Sequence, residues 1–274
     1  MYKKTDFSVT LNTFFLIRSI RKNKELSTKK SYSQQTFENT CIENTSMVFP
    51  QAKVNTYRYN SHPERQHFER SLRRLEGDVL RMGALVEQSF RLSHQSLFDR
   101  NLATAQQIPL LDKQIDQYYR KIELDSATLM TLQAPVAKDM RVLSAYMQLV
   151  RDLERIGDYA KDLAEIAVKL FPYPPHPCLT EIATMSHQAQ AMLAMSLVAL
   201  ADLDAEAGRQ VKEQDDVVDT AYETLYQRLA SARDIQGVVE PILLLALVIR
   251  HLERLADHDT NIGQRVAYFV TGHR

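Results

Sequence analysis

The chain has 274 residues, with 34 Lys/Arg balanced by 34 Asp/Glu, 45% hydrophobic residues, only 7 Gly and 9 Pro, and no Trp. Gly and Pro cost about 1 and about 3 kcal/mol in a helix interior, so their scarcity beside abundant Leu, Ala, Glu, Gln and Arg describes an all-α protein with ample core. The balance conceals an asymmetry: residues 1–60 carry 10 Lys/Arg against 4 Asp/Glu, the other 214 carry 24 against 30, and an acidic body excludes nucleic acid as a main partner because phosphate contacts need a basic footprint.

Residues 1–60 are a basic extension rich in Lys, Ser, Thr, Asn and Gln without helical periodicity, and are expected to be disordered. Within them, the apolar run Leu11–Ile17 is far short of the ~20 residues that span a bilayer. Asn12 and Thr13 break it and no small-residue cleavage site follows, which argues against a signal peptide. Met47 is a candidate start, since apolar helical patterning appears only after it. Two cysteines, Cys41 and Cys178, are too few for a disulfide framework or a Cys-based zinc site, and reduced thiols in a cytoplasmic protein are expected.

From Glu69 to about Asp99, Phe68, Leu72, Leu75, Val79, Met82, Val86, Phe90 and Leu97 form one apolar stripe, the signature of an amphipathic helix. Asn101 is a candidate cap for a second helix over Leu102–Leu132, whose core stripe is Leu111, Ile115, Tyr118, Ile122 and Leu129. Pro135 suits the first turn of a third helix. That helix alternates steps of four and three through Val142, Tyr146, Leu149, Leu153, Ile156, Ala160, Leu163, Ala167 and Leu170, the seam of a helical bundle. Phe171-Pro-Tyr-Pro-Pro-His-Pro177 then forbids helix. Beyond it the scheme repeats with helices over about Leu179–Leu203, Ala205–Ala232 and Val238–Val270. The last has its seam at Leu245, Val248, Leu252, Leu255, Ile262, Val266 and Phe269, and Pro241 in its first turn. The predicted layout is an extension (1–60), a first three-helix repeat (64–171), a Pro-rich linker (172–178) and a second three-helix repeat (179–272).

The repeats share an acidic signature. Leu153-Glu-Arg-Ile-Gly-Asp158 returns 99 positions later as Leu252-Glu-Arg-Leu-Ala-Asp257. The second helix of each half carries Asp-x-x-x-Asp: Asp112 and Asp116, then Asp215 and Asp219. Carboxylates at i and i+4 share a helix face and repel by ~0.2–0.5 kcal/mol, so a twice-written pattern asks for a compensating cation. Asp112 precedes Glu154 by 42 residues and Asp215 precedes Glu253 by 38, which sets the motifs level on antiparallel neighbours and gathers four carboxylates per half. Such oxygen-only donors suit Mg, Ca, Mn or Fe(III). A plainer reading is a solvated acidic face neutralised by Arg151, Arg155, Arg250 and Arg254.

Other chemistries find little support. Glu64-Arg-Gln-His67 is the sole Glu-x-x-His, against the pairs that a ferritin-like di-iron bundle requires. There is no Gly-rich phosphate loop, nucleophile elbow or His-Glu-x-x-His. His94, His251 and His258 fit helix-surface positions, and Met185, Met192 and Met195 fit adaptable core. An enzyme is not expected.

These motifs together resemble the PhoU family over residues 65–270. The resemblance is carried by Arg81-Met-Gly83, Asp112-x-x-Ile-Asp116, Pro135-x-Ala-x-Asp-Met-Arg141, Leu153–Asp158, and Ile249–His258 through Asn261-Ile262. It implies two tandem three-helix bundles of spectrin-like repeats in a cytoplasmic, often dimeric adaptor. It also implies metal clusters held by Asp112, Asp116, Glu154, Asp158, Asp215, Asp219, Glu253 and Asp257, with Fe, Mn, Mg or Zn as candidate ions. The implied partners are the ATPase subunit of the phosphate transporter, through which the protein reaches the membrane, and a sensor histidine kinase. The implied role is to repress phosphate-starvation genes of the Pho regulon when phosphate is plentiful. Three departures stand out: Asp162 where the second repeat has Asn261, Met140 in place of the usual Leu, and the basic extension. A structural bundle with solvated acidic faces, and a metal-dependent hydrolase of phosphorylated compounds, are the competing readings.

Overall fold

The computed structural model describes residues 63–132, 135, 137–231 and 238–272. The extension, Cys41 and the proposed start at Met47 lie outside the described residues. Among the described residues seven helices follow in order: α1 Pro63–Phe98, α2 Leu102–Ala105, α3 Ile108–Leu132, α4 Ala137–Leu170, α5 Leu179–Asp202, α6 Ala205–Ala230 and α7 Glu240–Thr271. Helices α1, α3 and α4 pack on one another, as do α5, α6 and α7, and the two groups join where α4 lies along α7 and α1 meets α5. The molecule is two tandem three-helix bundles. At 1.5 Å per residue the 34 residues of α4 make a rod ~50 Å long.

The apolar seams form the core. In α4, Tyr146, Leu149, Leu153, Ile156, Ala160, Leu163 and Ala167 are all buried, and in α7 every seam residue from Leu245 to Phe269 is buried. Met185 and Met192 are core as expected, with Met195 packed against it.

Helix ends depart from expectation in several places. α1 starts at Pro63, six residues earlier than expected, because Pro is favoured at a first helical position; Glu64-x-x-His67 therefore lies within it. The expected second helix is broken at Gln106-Gln107, giving the four-residue α2 before α3. Asn101 makes no side-chain cap; instead the Thr104 hydroxyl donates to the Asn101 carbonyl at 2.7 Å. Pro135 precedes α4, which begins at Ala137, and α7 begins at Glu240 with Pro241 in its first turn. At α6, Asp204 accepts hydrogen bonds from the N–H groups of Glu206 and Ala207 at 2.9 and 3.1 Å, a capping geometry typically worth about 1 kcal/mol.

The Pro-rich linker is tied to helix ends on both sides. Arg100 stands at φ 54° and donates to the carbonyls of Phe171 and Tyr173, with its guanidinium 4.9 Å from the Phe171 ring centre. The Tyr173 hydroxyl in turn donates to Glu240 at 2.5 Å.

The histidines expected on the surface are half-buried between the repeats. His258 Nδ1 lies 2.9 Å from Asp152, which also accepts from Arg265 Nε at 2.8 Å. Tyr159 stacks obliquely on His251 and His258. His94 meets the Ser186 hydroxyl at 2.9 Å; burial, then the neighbouring His187, holds its pKa down at about 4.

Two glycine contacts set helix separations. A Cβ on Gly83 would meet Leu197 at 2.6 Å, and one on Gly263 would meet the Gly208 carbonyl at 2.3 Å. The second obstacle is backbone and cannot yield. Gly263→Ala is therefore expected to cost about 1–3 kcal/mol by overpacking, lowering the melting temperature by several degrees. Gly77→Ala, where an added Cβ meets nothing within 4 Å, is expected to stabilise by roughly 0.5–1 kcal/mol. Thermal melts followed by circular dichroism compare the two; equal melting temperatures would contradict the α6–α7 crossing.

Candidate metal centres

The eight predicted carboxylates fall into two groups. Asp112 and Asp116 project from α3 towards Glu154 and Asp158 of α4, and Asp215 and Asp219 of α6 are set against Glu253 and Asp257 of α7. Their mutual fields show the grouping. Glu154 is pushed up from the usual carboxylate range by burial first, then by Asp158, Asp116 and Asp112. Asp158 is raised by burial and by Asp112, with a contribution from Asp162, so the residue standing in place of Asn makes the first group more anionic. Burial followed by Asp215 and Asp257 raises Asp219. Glu253 is raised by burial, against the opposing pull of Arg250, and then by Asp257 and Asp219.

Basic side chains hold most of these acids. Lys161 Nζ is 2.8 Å from Asp112, Arg120 is 3.6 Å from Asp116, and Arg155 stands 3.7 Å from both Glu154 and Asp158. In the second group Lys212 is 2.7 Å from Asp215, Arg250 reaches both Glu253 oxygens at 2.8 Å, and Arg254 is 2.9 Å from Asp257. Arg155, Arg250 and Arg254 thus neutralise acids as a charged face requires, while Arg151 forms no ion pair among the described residues. Lys161 and Lys212 were not anticipated; each sits three residues along from an acid of the set, at Asp158 and Asp215.

The donor set fits a hard cation in type: it is oxygen only, anionic and partly shielded from water. Glu154, Asp158, Asp219 and Glu253 hold protons more tightly than free carboxyls, first because they are partly buried and then because neighbouring acids repel them. The side-chain positions are those of ion pairs, and among the described residues no three His, Cys, Asp or Glu side chains are grouped to hold one ion. Lys161, Arg155, Lys212, Arg250 and Arg254 would have to swing aside for the carboxylates to converge.

Of the buried acids that sequence reasoning did not single out, Asp259 is the most deeply placed. Asp259 occupies the seam position between Leu255 and Ile262, where the first repeat has Ala160, and it is 0% exposed. Its carboxyl is raised well above the ordinary range by burial, then by Asp215 and Asp152. The signal was present as a gap of seven in an otherwise four-three alternation.

Glu154 and Asp158 bind protons more strongly folded than unfolded. Their protonation therefore favours folding below the unfolded values, and that advantage fades as pH rises through the folded ones. Glu154→Gln with Asp158→Asn is expected to raise the melting temperature of chelator-treated protein at pH 7.5 by about 1–2 °C. The gap from wild type should narrow as pH falls towards 5; a gap independent of pH would remove mutual repulsion as its cause.

The described helices include none long and apolar enough to cross a membrane. The PhoU domain model matches twice, over residues 79–167 and 182–266, one match per three-helix bundle. A phosphate-specific transport system accessory protein PhoU homolog from Synechocystis sp. is 66% identical over 214 residues, 78% of this chain and 96% of that protein. A homolog of the same description from Pseudomonas aeruginosa is 31% identical, covering 77% of this chain and 88% of its own. The crystal structure of PhoU from Pseudomonas aeruginosa superposes with a TM-score of 0.73 over 75% of this chain and all of that one, at 31% identity. The phosphate transport system regulatory protein PhoU from Streptococcus pneumoniae superposes at 0.69, with 28% identity over 75% of this chain and 98% of its own. With the duplicated helical repeat, its paired carboxylate motifs and these likenesses taken together, the chain belongs to the PhoU family.

Proposed function

We propose that this chain is a non-enzymatic regulator of phosphate uptake, an accessory protein of the phosphate-specific transport system that carries metal ions on its two carboxylate faces. The observation that carries the reading is the duplication: two sets of four acids on matching helices, with partly buried acids in each set raised by burial and then by their acidic neighbours. Extensive likeness to proteins described as transport-system accessory proteins supplies the physiological setting.

In this reading the protein acts in the cytoplasm as an adaptor between the ATPase subunit of the phosphate transporter and a sensor histidine kinase. It lowers expression of the Pho regulon when phosphate is plentiful, and it works as a homodimer that reaches the membrane through the transporter. A cation such as Fe, Mn, Mg or Zn would supply positive charge that lets the crowded carboxylates remain ionised. Asp112, Asp116, Glu154 and Asp158 would hold it in the first repeat, and Asp215, Asp219, Glu253 and Asp257 in the second. Their release from Lys161, Arg120, Arg155, Lys212, Arg250 and Arg254 would free six basic side chains on the same faces. Metal occupancy would thus change the charge pattern offered to a partner without any change of backbone.

The test combines metal content with signalling. Tag-free wild-type protein is expected to carry stoichiometric metal that disappears in a variant with Glu154, Asp158, Glu253 and Asp257 changed to amides. In a strain lacking the native gene, wild type should restore repression of a phosphate-starvation reporter and the variant should not. Equal repression by both, with no metal in either, would reduce the acids to a solvated charged face. Metal-dependent turnover of phosphorylated compounds by the wild type would favour a hydrolase instead.

A further inference from the structure

The helix pairs α1–α3 and α5–α6 are counterparts, and a single offset relates them. Asp112 and Asp215 are 103 positions apart. The same step carries the buried Val79, Met82, Val86 and Phe90 onto the buried Ile182, Met185, Ala189 and Leu193. With matching cores, the two pairs would be expected to present matching outer surfaces. They do not.

In the first repeat the outer seam between α1 and α3 is filled. Asp78, 4% exposed, draws in Arg81 at 2.8 Å and Lys121 of α3. Tyr118, one turn before Lys121, packs against the core. At the positions of Asp78, Arg81, Tyr118 and Lys121 the second repeat has Glu181, Thr184, Ala221 and Thr224. Glu181 finds its cation one turn further along α6, at Arg228. Small side chains thus replace the large ones and the ion bridge moves aside, so a groove of about 520 Å³ opens between α5 and α6.

Met185, Val217, Ala221 and Leu225 give this groove an apolar lining. Val217 is 44% exposed where the first repeat has Gln114. The hydroxyls of Thr184, Thr220 and Thr224 donate to carbonyls one turn back in their own helices, so they present no unmet hydrogen bond. Apolar surface left open along two neighbouring helices suits a third helix, whose residues at i, i+3, i+4 and i+7 settle between them.

Charge narrows the choice of helix. Lys113 and Arg120 of α3 are replaced on α6 by Asp216 and Glu223, neither of which forms an ion pair among the described residues. Arg228 is already engaged by Glu181. The rim is therefore acidic, which attracts a helix flanked by Lys and Arg and repels one flanked by Asp and Glu.

We propose that the α5–α6 groove is the docking site for an amphipathic helix of a partner protein, one with an apolar stripe between basic flanks. The first repeat, with its matching seam closed, offers no such site. None of the eight cluster carboxylates lines the groove, so this interaction stands or falls separately from metal binding.

The test is selection from a phage-displayed library of helical peptides about 18 residues long, some five turns, on the full chain. Counter-selection uses Thr184→Arg/Ala221→Tyr/Thr224→Lys, which restores the side chains of the first repeat; circular dichroism checks its fold. Should that variant fail to fold, Asp216→Lys/Glu223→Lys, changed only at exposed positions, takes its place. Enriched peptides are expected to carry the apolar stripe and a net positive charge, and to bind wild type with micromolar Kd by fluorescence anisotropy. Both variants should bind them at least about tenfold more weakly, and wild-type affinity should fall as NaCl is raised. Failure to enrich any peptide on wild type over the variant, enrichment of acidic or uncharged peptides, or undiminished binding to the variants would overturn the proposal. Self-association of wild type that the filled variant loses, measured by sedimentation, would assign the groove to a second copy of the chain and would equally overturn it.

Discussion

The antiparallel register of α3 with α4, and of α6 with α7, is the constraint on which the rest depends. Each of these helices writes its acids at i and i+4, so each carries a charged ridge along one side of its apolar seam. The ridges matter because the seams, once buried, leave the facing helices no freedom to rotate. Leu153, Ile156 and Ala160 on α4, and Leu252 and Leu255 on α7, are sealed. Glu154, Asp158, Glu253 and Asp257, each one or two residues round from them, are therefore held at the edge of the interface against the acids of the preceding helix. Apolar packing enforces a repulsion that the carboxylates would otherwise relieve by moving apart.

The local answer to that repulsion is a set of short-range cations from the same helices. Such exposed pairs are individually weak, and most of the lysines and arginines involved are well exposed. They cost little to break. Asp152 is different: it is buried and held by Arg265 and His258 from the other repeat. The contrast separates acids that fix the architecture from acids that remain available.

Much of this was legible in the residues. The steps of three and four along α4 and α7 predicted which side chains are buried, and the matched separations of the acid motifs predicted which carboxylates share a face. Helix ends were less legible, because they depend on local competition: Gln106-Gln107 interrupts a continuous apolar pattern, and Asn101 gives way to the hydroxyl of Thr104. The half-buried histidines could not be placed from one helix at a time, since His258 and His251 meet Tyr159 and Asp152 only when the two repeats close on each other. Asp259 was visible as a gap in a seam but acquired meaning only once the gap proved fully buried.

The fastening of the Pro-rich linker bears on how the molecule responds to force. A tether between two bundles ordinarily acts as a hinge, letting one swing while the other stays still. Here Arg100 grips the carbonyls of Phe171 and Tyr173, and Tyr173 reaches Glu240 at the start of the last helix, while the long rods α4 and α7 lie side by side. Bending at the midpoint would have to break all of these contacts together. A push on one end is therefore carried to the other as in a beam.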